Sequence, residues 1–203
     1  MRSRARNEQE KERMRLAILE AATEIILAEG YEKLSMRKIA DAIGYTPTTL
    51  YLYYKDKAQI VGDIAEEVYG KILLHIKQVL DENRDATLQR QLELIFGAFV
   101  RTMTDNAEMG KAVIRSGTNA AFGPVGEADV SEEDGITLLQ RLLGEGQRQG
   151  VLRKLDDGIA WMLITALLGF SMSAIENQLY TQTNWDEMVH TYTELLVNGL
   201  LSR

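Results

Sequence analysis

Residues 35–57, SMRKIADAIGYTPTTLYLYYKDK, decide the fold. They read as two short helices joined by a tight turn, the arrangement that sets a second helix into the DNA major groove. Ala40 is small at the point where the two helices must cross closely. Gly44, four residues on, supplies the positive φ that stops the first helix. Leu50 returns an apolar side chain beneath the pair. Thr46-Pro47 opens the second helix with an N-cap residue and then a proline at the first helical position, where the missing N–H costs nothing. Arg37, Thr48, Thr49, Tyr51, Tyr53 and Lys57 are left facing outward. A helical hairpin without a partner is the alternative, and it has no use for that set of donors and cations.

Working outward, Leu16, Leu19, Ala22, Ile26 and Leu27 fall near helical spacing, predicting a helix from Glu8 to Glu29 that stops at Gly30. Residues 1–7 are polar and read as disordered when free. Their arginines, R-S-R-A-R, suit either a minor-groove arm or a plain solubilising tail. After the motif, Asp56 with Gln59 three residues later predicts a helix to about Leu80. Further helices are expected over Ala86–Thr104, Ala107–Arg115, Glu132–Gln149, from Asp156-Asp157 to Tyr180, and from Asn184 to Leu200, where Glu187 completes a capping box. Residues 116–131 are the one Gly/Pro-rich break and read as a loop. No alternating pattern of strand length occurs. The chain reads as all-α, about nine helices.

Residues 16–64, LAILEAATEIILAEGYEKLSMRKIADAIGYTPTTLYLYYKDKAQIVGDI, resemble the N-terminal domain of the TetR/AcrR family of bacterial transcriptional regulators. The resemblance rests on the ILEAATEIILAEGY helix, the S-x-R-x-IA opening and the TLY-x-YYKDK close, about a quarter of the chain. It implies a homodimeric, ligand-responsive DNA-binding protein, usually a repressor; the absence of cysteine separately fits a cytoplasmic location. It divides the chain into a DNA-binding domain at 1–55 and a helical ligand-binding and dimerisation domain at 56–203. The implied DNA contacts are Arg37, Pro47, Thr48, Thr49, Tyr51, Tyr53 and Lys57. Where the family often carries Thr or Ser before Arg37, this chain has Met36.

The net charge of −7 divides unevenly. Residues 1–60 hold 11 Lys+Arg against 9 Asp+Glu, and residues 61–203 hold 12 against 21. A basic head on an acidic body is repelled by phosphate in the wrong orientation and attracted in the right one. There is no cysteine, so disulfides and thiolate metal sites are excluded. The N-terminus is charged and no apolar secretory segment follows it. Residues 158–175 carry no charge and touch the lower limit for a spanning helix, but Asp156, Asp157 and Glu176 bracket them. They read as a helix buried on several sides, with no membrane partner.

Within the body, Ile159, Met162, Ala166 and Phe170 form one stripe, and Met188, Tyr192, Leu195 and Leu196 another. Together they fit the interface of a two-fold dimer built as a four-helix bundle. Such symmetry spaces two recognition helices about 34–36 Å apart on a pseudo-palindromic operator. Phe96, Phe99, Met103, Phe122, Trp161 and Leu168, with Arg115 for orientation, are the candidates for an apolar effector pocket. Simple core packing is the competing account of each. His75 and His190 lie on separate helices, no H-E-x-x-H, G-x-S-x-G or Walker sequence occurs, and G-E-G-Q-R-Q-G at 144–150 misses the dinucleotide spacing. The expectation is a regulator with no cofactor and no enzymatic activity; the alternative is a ligand-independent or architectural DNA-binding factor.

Overall fold

The computed structural model describes residues 2–116 and 134–202, with side chains from residue 8 onward except 113, 114 and 116. The expected loop at 116–131, with Phe122, and the expected helix start at Glu132 fall almost wholly outside these residues. Nine α-helices are present among the described residues: α1 Arg2–Glu29, α2 Met36–Ile43, α3 Pro47–Leu50, α4 Lys57–Glu82, α5 Leu88–Asp105, α6 Ala107–Ser116, α7 Gly135–Arg148, α8 Ile159–Glu176 and α9 Trp185–Asn198. There is no strand among them, only an isolated antiparallel bridge between Leu152 and Leu201. The all-α reading of the sequence is the observed class.

Two compact units are distinguished. One contains residues 2–68 and 108–116, the other residues 69–107 and 134–202. In the first, α1 packs on α2, and α2 on α3. Ile18, Ala22, Ile26, Ile39, Ala40, Leu50, Tyr54, Ile60 and Val61 are buried there, so each helix contributes one stripe to a shared core. Ala40 is fully buried, as its place at the crossing requires. In the second unit, α5 packs against α8 and α9, and α7 against α8. Leu92, Ile95, Phe96, Phe99, Val100 and Met103 form the buried side of α5. α8 is long and apolar enough to cross a membrane by length and composition. Ala160, Leu163, Leu167, Ser171, Ala174 and Ile175 are nevertheless packed along one side of it.

Three details depart from expectation. The first helix begins at Arg2, six residues before Glu8, so the arm is helical and not disordered. Arg, Ala, Glu, Gln and Lys, residues of high helix propensity, dominate the sequence there. α8 ends at Glu176 and does not run to Tyr180. Gln178 takes a left-handed conformation (φ 54°, ψ 32°), and the Asn177 side chain donates to the Ser173 carbonyl at 2.8 Å, a local bond that competes with continuing the helix. At the start of α9, Asn184 makes no side-chain cap bond and the expected capping box does not form. Asp186 and Glu187 in the first turn complement the helix dipole instead. Asp186 also accepts from Arg101 of α5 at 3.1 Å.

Candidate nucleic-acid interface

The motif is held by local bonds that its residue types dictate. Ser35 caps α2, its hydroxyl accepting from the Lys38 N–H at 3.2 Å. Gly44 ends α2 at φ 73°, ψ 27°. The Gly44 N–H donates to the Asp41 carbonyl at 3.4 Å and the Tyr45 N–H to the Ala40 carbonyl at 2.9 Å. This is a Schellman ending, which a side chain at Gly44 would strain. Thr46 then caps α3, accepting from the Thr49 N–H at 3.3 Å, and Pro47 follows at the first helical position. α4 opens in the same way. Asp56 accepts from the Gln59 N–H at 2.9 Å, while the Gln59 side chain reaches back to the Lys55 N–H at 2.8 Å.

These stops and starts fix which side chains the second helix presents. Leu50 and Tyr54 are buried. Thr48 is exposed, Tyr51 is 57% exposed, and Pro47, Thr49 and Tyr53 are half-buried. The Thr49 hydroxyl lies 3.0 Å from that of Thr46, so it is already engaged in the cap. Arg37 is exposed and lies 3.8 Å from Asp41, a surface pair of small value that a phosphate can displace. Met36 is buried and presents no polar group outward. Lys57 opens α4, where the helix dipole disfavours a cation. Its ammonium sits 4.1 Å from the centre of the Tyr31 ring and 3.5 Å from the Tyr31 carbonyl oxygen. Burial raises the Tyr31 phenol pKa above its ordinary value, so the ring stays neutral beneath the lysine.

One group of residues had no sequence signal. Arg15 of α1, Tyr54 after α3 and Asp63 of α4 form a network that ties three helices together. The Arg15 Nη2 donates to Asp63 at 2.9 Å, and the Tyr54 hydroxyl donates to the same carboxylate oxygen at 2.6 Å. The Arg15 Nε lies 3.5 Å from the Tyr54 oxygen. Burial, then the bond to Asp63, pushes the Tyr54 pKa up to about 12. Hydrogen bonds to Tyr54 and Asp63 hold the Arg15 guanidinium above its ordinary value. Asp63→Ala should lower the stability of this unit by about 1–3 kcal/mol, because two partly buried donors lose their acceptor. The check is a shift of the urea midpoint. The raised Tyr54 pKa adds a pH signature. The contribution of the protonated phenol is complete below pH ~10 and declines as pH rises toward 12, because the unfolded chain loses that proton first. Tyr54→Phe should remove that alkaline decline.

The other candidate residues lie as follows. Phe96, Phe99 and Met103 are buried on α5, and Leu168 is half-buried on α8. Trp161 on α8 is 41% exposed. Arg115 on α6 is exposed and reaches Glu32 at 3.7 Å, within the same unit as the motif. Phe122 lies outside the described residues. Of the two proposed interface stripes, Met162 is 65% and Leu195 67% exposed. Ile159, Ala166, Phe170, Met188, Tyr192 and Leu196 are half-buried. Phe170 stacks on Tyr192 at 4.0 Å and on Trp185 at 5.9 Å between ring centres, locking α8 to α9.

Residues 18–64 match the model of the bacterial regulatory proteins of the tetR family. Those residues carry the N-terminal domain of the TetR family. It is 31% identical over 80 residues to the fatty acid metabolism regulator protein of Bacillus subtilis (strain 168), a match spanning 39% of this chain and 40% of that protein. The whole fold is similar to the fatty acid degradation regulator FadR of Bacillus halodurans, with a TM-score of 0.66 and 20% identity, covering 93% of this chain and 97% of that one. It is similar in the same degree to RolR solved with resorcinol, with a TM-score of 0.66 and 18% identity over 95% and 90% of the two chains. The TetR assignment from residues 16–64 of the sequence agrees with these likenesses, and so does the layout of a helix-turn-helix followed by a helical C-terminal domain.

Proposed function

We propose that the protein is a homodimeric, cytoplasmic transcriptional repressor that leaves a pseudo-palindromic operator when a largely apolar small molecule binds its C-terminal domain. The observation that carries the DNA-binding part is the outward set on a capped, rigid motif: Arg37, Pro47, Thr48, Thr49, Tyr51, Tyr53 and Lys57. Threonine can meet base edges or a thymine methyl, while tyrosine hydroxyls and cations bond phosphate. Residues 1–55 would act as the reading head and 56–203 as the sensor and dimerisation domain.

Dimerisation is assigned to α8 and α9. The stack of Phe170 on Tyr192 and Trp185 with exposed Met162 and Leu195 supports it, because a monomer would leave this face in water. Arg115, paired with Glu32 in the unit that holds the motif, is not part of the effector set. The effector is assigned to the body around Phe96, Phe99, Met103, Leu168 and Trp161. These supply many apolar contacts and few charges. The names of the relatives suggest fatty acids and resorcinol as first probes. α4 runs from Lys57 to Glu82, with Ile64, Val68 and Ile72 buried. A ligand preferring the released state a hundredfold shifts the equilibrium by about 2.7 kcal/mol.

The test is selection from a randomised duplex pool, followed by release of the selected duplex by palmitate or resorcinol. Phe99→Trp should keep duplex binding and abolish release, because the larger ring occupies the space the ligand needs. If neither probe raises the melting temperature of the wild type and Phe99→Trp unfolds the body, Phe99 is ordinary core and the sensor assignment fails there.

A further inference from the structure

We propose that Leu52 reads the C5-methyl group of one thymine in each half-site, fixing a T·A base pair there. The inference rests on the DNA-binding reading above and adds a specificity residue to it. Leu52 is 79% exposed, more than any other exposed large apolar side chain among the described residues. A lone exposed leucine on a protein surface needs no explanation. This one stands among the residues assigned to the bases, where the choice of side chain is narrower.

The turn that closes α3 fixes its side. Leu50 and Tyr54, four residues apart, are the positions that this segment buries. Leu52 lies midway between them and is carried to the opposite side, with exposed Thr48 four residues before it and exposed Tyr51 beside it. The backbone is held through this point. The Tyr51 N–H donates to the Pro47 carbonyl at 3.1 Å, the Leu52 N–H to the Thr49 carbonyl at 3.2 Å and the Tyr53 N–H to the Leu50 carbonyl at 2.9 Å. Leu52 therefore belongs to the same rigid turn as the threonines.

A leucine offers neither donor nor acceptor. Against phosphate or the polar edge of a base it would displace water and return no bond. The major groove presents one apolar group, the thymine methyl, and that is the single partner that repays its burial. Contact with one methyl group is expected to change affinity by about three- to tenfold per half-site.

The test uses a duplex selected by the wild type from a random pool, with each thymine replaced in turn by uracil, which lacks only that methyl. One position per half-site should weaken wild-type binding by about three- to tenfold. Leu52→Ala, which removes the side chain from both protomers, should lose that factor once for each half-site on the thymine duplex and show no further loss when uracil replaces the thymine. Because Leu52 is exposed, the variant should melt with the wild type, which separates a lost contact from a lost fold. Uracil tolerated at every position, or a Leu52→Ala variant that keeps the full uracil penalty, overturns the assignment; in the second case the methyl is read elsewhere, as by Thr48. A pool that yields no preferred duplex overturns the DNA-binding reading itself, and this inference with it.

Discussion

Leu195→Glu should leave each protomer folded and abolish the dimer. Leu195 is 67% exposed in the single chain, so a carboxylate there stays hydrated and costs the protomer little, within about 0.5 kcal/mol. Across a two-fold bundle of α8 and α9 the same group would be pressed against Met162, Phe170 or Tyr192 of a second copy. Two unpaired charges would then be buried per interface, at a cost of several kcal/mol each. Sedimentation should therefore report a monomer whose melting curve matches the wild type. Duplex binding should fall by at least about a hundredfold, because the two heads no longer engage two half-sites as one body. Met162→Lys, at 65% exposure, should repeat the result. A Leu195→Glu protein that still sediments as a dimer would move the interface to other helices.

The parts of the structure legible in the sequence were those set by neighbouring residues. Gly44 and Thr46-Pro47 each act on near neighbours, and each forms the stop or cap its chemistry allows. The same holds for Asp56 and Gln59 at the start of α4. Asn184 shows the limit of such rules: it precedes a helix with an acid three positions on, yet its backbone (φ −100°, ψ 17°) is not the extended one a capping side chain requires. The end of α8 was hidden for a related reason, since apolar Leu179 and Tyr180 resume beyond the polar residues 176–178, where Gln178 turns left-handed.

Long-range chemistry left no such trace. Arg15 and Asp63 are 48 positions apart, and each reads alone as an ordinary charge on a helix surface. Only when α1 and α4 meet at Tyr54 does the pairing exist. The outward face was legible as a set but not in its internal partnerships. Thr49 was a candidate for base contact, and its hydroxyl lies instead in the cap with Thr46. Thr48, exposed one position earlier, is the better placed of the two threonines for a base edge.

Lys57→Ala should weaken binding to every duplex sequence alike and make the salt dependence shallower by about two units per dimer, one per lost phosphate contact. At the start of α4 the lysine adds its charge to N–H groups that already favour an anion. Its perch on the Tyr31 ring, 4.1 Å from the centre, holds the ammonium ready in the free protein. That contact contributes about 0.5–1 kcal/mol at an exposed site, so the variant should melt slightly lower without unfolding. Thr48→Ala is the complement. It should leave the salt slope intact and change preference at a particular base pair, by at most about 1–3 kcal/mol. Raising salt therefore separates the two roles: the gap between wild type and Lys57→Ala narrows as phosphate contacts are screened, while the gap for Thr48→Ala persists. If Lys57→Ala binds weakly but keeps the wild-type salt slope, the lysine serves as a strut on Tyr31 that positions α4, and the phosphate contact belongs to another cation of the head.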